Sequence, residues 1–310
     1  MPTRWVGIDE AGYGPNLGPL VMSAVVVDSP DDRPPDLWAD LAASVCRAGE
    51  DPERLWVDDS KAIYKPGHGR DRLEETCQAL VAEIGGSVPR TFGALLGVLG
   101  AGTLEDAELT AWLDAGDVAL NWLDPESRPF AEAPWKIIAV RTEVVGPARF
   151  NAGLLGGTKA TVHFSAFARL LRFVWDLAGD GVPTFVRGDK HGGRHFYYGP
   201  LADAVPDAWI DRGTEGPELS QYTIRGEGRS LHLSLQPRAD ADDGLVALAS
   251  IVSKTVRERW MDAFNAHWLA RIPDLKPTAG YPVDARRFRK AIEGLCLQRG
   301  LAENLWWRAR

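Results

Sequence analysis

The run LVMSAVVV, from Leu20 to Val27, constrains the fold more than any other stretch of the chain. It is apolar and β-branched without polar alternation, the composition of a buried strand, so structure must cover both of its faces. Another strand candidate, Arg4 to Asp9, is separated from it by AGYGPNLGP, a turn segment carrying Gly12, Gly14 and Gly18. Lys136 to Val145 predicts a further strand, ended by Gly146-Pro147. Thr158 to Leu177 predicts a long helix with Val162, Ala166, Leu170, Phe173 and Leu177 on one face. Pro183 to Val186, running out near Gly188-Asp189, is a short strand. Strand, helix, strand is the order of an α/β layer.

The remaining pattern is less regular. Leu37 to Arg47 and Arg70 to Ile84 read as helices, the second with Leu73, Cys77, Leu80 and Val81 along one side. Residues 91 to 134 are interrupted by glycines and prolines and predict only short helices around Leu104 to Leu113. The stretch from His195 to Ser220 is broken, Tyr222 to Leu235 reads as a hairpin, and Val246 to Leu269 and Asp284 to Leu297 read as helices. No repeat period and no flexible linker is visible.

At 310 residues, 45% hydrophobic and 25% charged, the chain has ordinary globular values and can bury a sizeable core. Its net charge of -8 weighs against a nucleic-acid partner, but from Ile251 to Arg310 there are 12 basic and 6 acidic residues, so a polyanion surface belongs in that last fifth. Cys46, Cys77 and Cys296 are odd in number and widely spaced, which fits neither a disulfide framework nor a structural zinc site and points to a reducing compartment. With no leader pattern and no run of 18 apolar residues, the expected setting is soluble, cytoplasmic and away from membranes.

Three acidic positions along the chain could carry chemistry. Asp9 and Glu10 close a strand just before a Gly-rich turn; adjacent strand side chains face opposite ways, so both reach one metal only if the strand ends or distorts there. Carboxylates of this kind suit hard cations such as Mg2+ or Mn2+, and equally an ordinary turn. Asp189, in VRGDKHGGR, follows a short strand and is also a normal turn residue. Asp240, Asp242 and Asp243 precede a long helix, where N-capping alone would place acids. Elsewhere the six histidines form no HExxH pattern, the glycines of GLLGGTK are more simply a helix-capping turn than a phosphate loop, and Trp306 and Trp307 read as packing residues.

Four ordered blocks discriminate further. GIDEAGYGPNLGPLVMSAVVV, DDSKAI, LASIVSKTVRERWM and GYPVDARRFRKAI resemble, in order, the signature segments of the type 2 ribonucleases H, ribonuclease HII and ribonuclease HIII. The resemblance implies an α/β, ribonuclease H-like mixed central sheet flanked by helices, with a helical C-terminal region. It implies a catalytic domain over 1–270, with insertions near 91–134 and 195–235, and a substrate-contacting helical region over 271–310. It further implies hydrolysis of the RNA strand of RNA-DNA hybrids or at ribonucleotides in duplex DNA, with Asp9, Glu10, Asp189 and Asp240 as catalytic carboxylates holding two Mg2+ or Mn2+ ions about 4 Å apart.

By the same resemblance, Gly12, Tyr13 and Gly14 would read the ribonucleotide 2'-hydroxyl through exposed backbone groups, although Tyr13 stands where ribonuclease HII has Arg. Tyr281 matches a substrate-stacking tyrosine, and Arg286 stands in place of the usual His as a phosphate contact. Ser60 and Lys61 belong to the DDSKAI block, and Lys61, Lys190, Arg194, Lys254 and Arg257 are phosphate-side candidates or plain surface cations. A nucleic-acid-binding homologue without efficient cleavage remains the alternative, favoured by the departures at Tyr13, Val283 and Arg286.

Overall fold

A computed structural model describes residues 1–64, 69–114, 116–122 and 128–309. Strands β1 (Thr3–Ala11) and β2 (Leu20–Ser29) form an antiparallel pair, followed by a short helix α1 (Leu37–Asp40) and the two-residue strands β3 (Val45–Cys46) and β4 (Leu55–Trp56). Helices α2 (Ser60–Ile63), α3 (Arg70–Gly85) and α4 (Phe92–Val98) precede β5 (Lys136–Val145). Next come α5 (Pro147–Leu155), α6 (Lys159–Leu177), β6 (Thr184–Asp189), α7 (Tyr198–Ala204) and the meander β7 (Trp209–Glu215), β8 (Ser220–Gly226) and β9 (Arg229–Gln236). Helices α8 (Ala239–Asp242), α9 (Gly244–Leu269) and α10 (Pro282–Gln298) complete the chain. The order β5-β2-β1-β6-β9-β8-β7 makes one mixed seven-stranded sheet, with β1, β6 and β9 parallel. Flanked by helices and ending in the helical region α8 to α10, it is the ribonuclease H-like α/β architecture expected.

The Leu20–Val27 run explains the layering. Val21, Val25 and Val27 face the core beneath α9, whereas Leu20, Met22, Ala24 and Val26 face the core beneath α6, so the strand is buried twice. Buried apolar area of this kind is the main stabilising term for such a sheet. Helix α9 lies so close to β1 that a Cβ on Gly7 would collide with the backbone of Leu245 and Val246. That contact sets the start of α9 against the sheet. Asp243 accepts from the amides of Leu245 (2.9 Å) and Val246 (3.1 Å), the capping expected of the acidic run. Thr158 caps α6 through a capping box with Thr161, which accounts for the end of GLLGGTK.

Several elements depart from the sequence pattern. The helix expected over Leu37 to Arg47 stops at Asp40, because Val45 and Cys46 pair in parallel with Leu55 and Trp56 instead. Around Leu104 to Leu113 there are turns and a single 3-10 turn, Thr110–Trp112, while the regular helix of that region is α4, capped by Thr91. Within the broken stretch from His195 to Ser220 lie α7 and edge strand β7. Trp306 is buried in the core beneath α9. Among the described residues no helix is long and apolar enough to cross a membrane.

Candidate active site

The site forms where parallel strands end. β1 pairs with β2 as far as Ala11 and Val21, but its parallel pairing with β6 stops at Ile8 and Gly188. Past that point β1 has one free edge, and the crevice at the carboxyl ends of the parallel strands opens, the usual ligand position in open α/β sheets. Asp9 sits on the α9 side, where Ser250 hydrogen-bonds its carboxylate and Ser253 donates to its carbonyl (3.1 Å). Glu10 points to the α6 side, where its Oε2 lies 3.3 Å from His163 Nε2. The two carboxyl groups leave the strand on opposite sides and still act on each other's charge.

Asp189 ends β6 and accepts from the backbone amides of Lys190 and Arg238, each at 2.8 Å. Asp240, 6% exposed on α8, arrives from the segment after β9. The acidic run before α9 therefore divides its work, with Asp243 capping the helix and Asp240 facing the crevice. Asp59, which caps α2 by accepting from Lys61 (2.9 Å), joins the group through a hydrogen bond with Asp240.

The electrostatics bind these groups into one cluster. Burial and then the Glu10 charge push the Asp9 carboxyl well above the usual range, with Asp240 adding to the rise and Ser250 opposing it. Asp240 is pushed up to about 6 by burial, Asp59 and Asp189. Asp189 is raised by burial and Glu10 against the two amides that favour its charge. Glu10 is the exception: burial works to raise it, but the contact with His163, together with Asp9 and Lys61, leaves it lowered. Lys61 loses some basicity to burial, yet the charges of Asp59, Asp240, Asp9 and Asp189 raise it overall. Like-charged carboxylates disfavour one another's ionisation, and a cation among them would reverse that. As the side chains stand, no group of three or more His, Cys, Asp or Glu among the described residues is arranged to hold a metal ion.

The other expected residues are placed unevenly. Ser60 is buried under Asp9, its hydroxyl 3.0 Å from that of Ser250. Tyr13 is half-buried, its ring edge-on to His163 at 4.9 Å and 5.1 Å from Lys159 Nζ. Gly12 needs its positive φ of 88°, and a Cβ there would strike the Pro19 carbonyl. Arg194 lies over Phe164 and Tyr197 and shares the wall of a cavity of about 410 Å³ with Arg169 and Arg172. Tyr281, 51% exposed, precedes α10 beside Gly280, whose carbonyl accepts from Asn16 (2.8 Å); Arg286 is exposed on α10.

Three of the candidate cations are held by contacts within the protein. Lys190 is buried and donates to Gly216 O (2.6 Å) and Ser220 Oγ (2.7 Å), anchoring the loop before β8. Arg257 is buried against Glu258, Leu17 O and Ala279 O, and Lys254 pairs with Glu258 at 2.8 Å. Sequence reasoning missed His163 as the partner of Glu10, since its position in the apolar repeat of α6 reads as core, and it gave Asp59, in the DDSKAI block, no place beside Asp240.

No protein-family model matches this chain, and no curated protein matches it. Among solved structures, the ribonuclease HII in the PCNA:RNase HII complex from Archaeoglobus fulgidus is similar at 16% identity, covering 99% of this chain and 94% of that one, with a TM-score of 0.42. Ribonuclease H2 from Pyrococcus horikoshii OT3 is similar at 15% identity, with 98% and 92% covered and a TM-score of 0.40. Bst-RNase HIII in complex with Mn2+ is similar at 15% identity, with 99% and 66% covered and a TM-score of 0.47. The likeness is distant.

Proposed function

We propose that this protein is a divalent-metal-dependent endonuclease that hydrolyses the RNA strand of RNA-DNA hybrids, including at ribonucleotides embedded in duplex DNA. One observation carries the reading: Asp9, Glu10, Asp189 and Asp240, from three distant stretches, lie within one another's fields at the ends of β1 and β6. Burying Asp9 and Asp240 beside the half-buried Glu10 and Asp189 costs stability and serves no packing purpose. Hard, oxygen-seeking Mg2+ or Mn2+ fits that donor set, with Asp9, Glu10, Asp189 and Asp240 as the holding residues. Bound there, two such ions would supply an acidified water and stabilise charge on the leaving oxygen.

The chain's own groups prepare that chemistry. His163 keeps Glu10 ionised, Ser250 orients Asp9, and the amides of Lys190 and Arg238 orient Asp189. Lys61 offers a positive charge beside the carboxylates for a scissile phosphate. On this reading the loop around Gly12, Tyr13 and Gly14 and the ring of Tyr281 would receive the sugar-phosphate backbone. Arg194 on one side and Arg286 on α10 would contact phosphates, so binding should weaken with salt. On this reading 1–270 forms the catalytic part and 271–310 the substrate-contacting part. Free, buried Cys46, Cys77 and Cys296 suit a reducing, cytoplasmic setting.

The test is a cleavage assay with a matched RNA-DNA hybrid, a DNA duplex carrying one ribonucleotide and single-stranded controls, each with Mg2+, Mn2+ or chelator. Metal-dependent cutting of a ribonucleotide-containing duplex is expected, with Asp9→Asn at least about a thousandfold slower while still folded and duplex-binding. Duplex binding with no cutting under any metal would make this a binding protein instead, and undiminished turnover in Asp9→Asn would refute the assigned chemistry.

A further inference from the structure

The loop from Gly12 to Gly18 is held from behind by a residue almost 300 positions away. Arg308 is fully buried, with 0% of its surface exposed. Its guanidinium donates to Gly12 O (2.6 Å), Tyr13 O (3.1 Å) and Gly18 O (3.5 Å), and it lies 3.9 Å from the ring of Phe150. The backbone of the same residue completes the clasp: Arg308 N donates to Asn16 O (2.8 Å) and Asn16 Nδ2 donates to Arg308 O (3.1 Å). Asn151 ties the neighbouring chain down, donating to Trp307 O (2.8 Å) and accepting from Ala309 N (2.8 Å).

Among the described residues no carboxylate forms an ion pair with Arg308. Burying an unpaired guanidinium is expensive, and a merely structural clasp could use a neutral donor. Peptide geometry gives the arrangement a purpose. In a trans peptide the N–H and C=O point opposite ways. With the carbonyls of Gly12 and Tyr13 drawn inward to Arg308, the amides of Tyr13 and Gly14 are turned outward, and Gly14 is exposed. Consecutive outward amides form a concavity for an anion, and a cation behind them strengthens it.

We infer that Arg308 is a positioning residue: from the C-terminal segment it fixes the Gly12–Gly18 loop so that the Tyr13 and Gly14 amides meet the phosphate and sugar of the bound nucleic acid, and it supplies the positive charge that the loop itself lacks. The inference rests on the nucleic-acid reading above for the identity of the ligand, while the positioning of the loop is independent of it.

Two readouts on the full chain test it. Amide hydrogen exchange compares wild type with Arg308→Met. Asn16 and Leu17, whose amides donate to Gly280 O, should exchange roughly ten- to a hundredfold faster, the range given by losing one or two charge-assisted hydrogen bonds, while β1 and α9 keep their protection. In hybrid cleavage KM should rise roughly tenfold with kcat changed much less, and Arg308→Lys should recover a large part of both effects. If Arg308→Met fails to fold, Arg308→Lys carries the same comparison at smaller amplitude. Unchanged loop exchange, or kcat falling alone in step with the folded fraction, would overturn the inference. A wild type that neither binds nor cuts hybrids would sink the proposed substrate, and the exchange result would still decide whether Arg308 sets the loop.

Discussion

Replacing Asp240 by Asn should stabilise the metal-free protein while destroying its activity. Asp240 is buried beside Asp59 and Asp189, and its carboxyl rises from 3.8 to about 6. At about 1.36 kcal/mol per unit the full shift is worth about 3 kcal/mol, and screening by water and Lys61 at the cleft brings the expected gain to about 1–3 kcal/mol. The sign follows from proton binding. The folded state holds its proton to higher pH than the unfolded state, so the penalty is absent below about pH 3.8, grows up to about pH 6 and is complete above it. Thermal unfolding in chelator at about pH 8 should show Asp240→Asn melting about 2–5 °C above wild type, with the difference vanishing as the pH approaches 4. Added Mg2+ should raise the wild-type Tm more than that of the variant. A variant that melts below wild type in chelator at about pH 8 would mean that Asp240 is held by favourable contacts, and the reasoning from carboxylate repulsion would fail.

Two other perturbations follow from the same contacts. His163→Phe keeps a ring against Tyr13 and His191 but removes the contact that lowers Glu10. The acid limb of the rate profile should move to higher pH, with activity falling several-fold more at about pH 6 than at about pH 8.5; an unshifted profile would separate His163 from Glu10. Gly7→Ala places a methyl group against the Leu245 backbone and should cost about 1–3 kcal/mol, read as a Tm about 2–5 °C lower; a wild-type Tm would show that α9 can move off β1 without cost.

Much of the fold was legible where apolar patterning is strong. Lys136 to Val145 matches β5 at both ends, and the long helix and hairpin emerge from 3.6- and 2-residue periods. What escaped was structure made by partners rather than by pattern. Edge strand β7, WIDRGTE, buries only Ile210, so it lacks an alternating apolar signal, and the helix begun at Leu37 is cut short by the pairing of Val45 and Cys46 with residues ten positions on. The candidate site divides the same way. Asp9, Glu10, Asp189 and Asp240 stand at strand and helix ends that the sequence marks with glycines or caps, and the family resemblance brought them together. His163 lies within an apolar helical repeat, Lys190 looks like any loop cation, and the contact of Arg308 with Gly12 spans nearly the whole chain. No local pattern encodes such long-range pairings.

The most direct measurement is anomalous scattering from crystals of the protein soaked in Mn2+ with a non-cleavable hybrid. Manganese peaks among the carboxylates of Asp9, Glu10, Asp189 and Asp240 are the expected result. Ordered manganese elsewhere with none in that crevice, or an ordered hybrid lying across a different face of the sheet, would contradict the account.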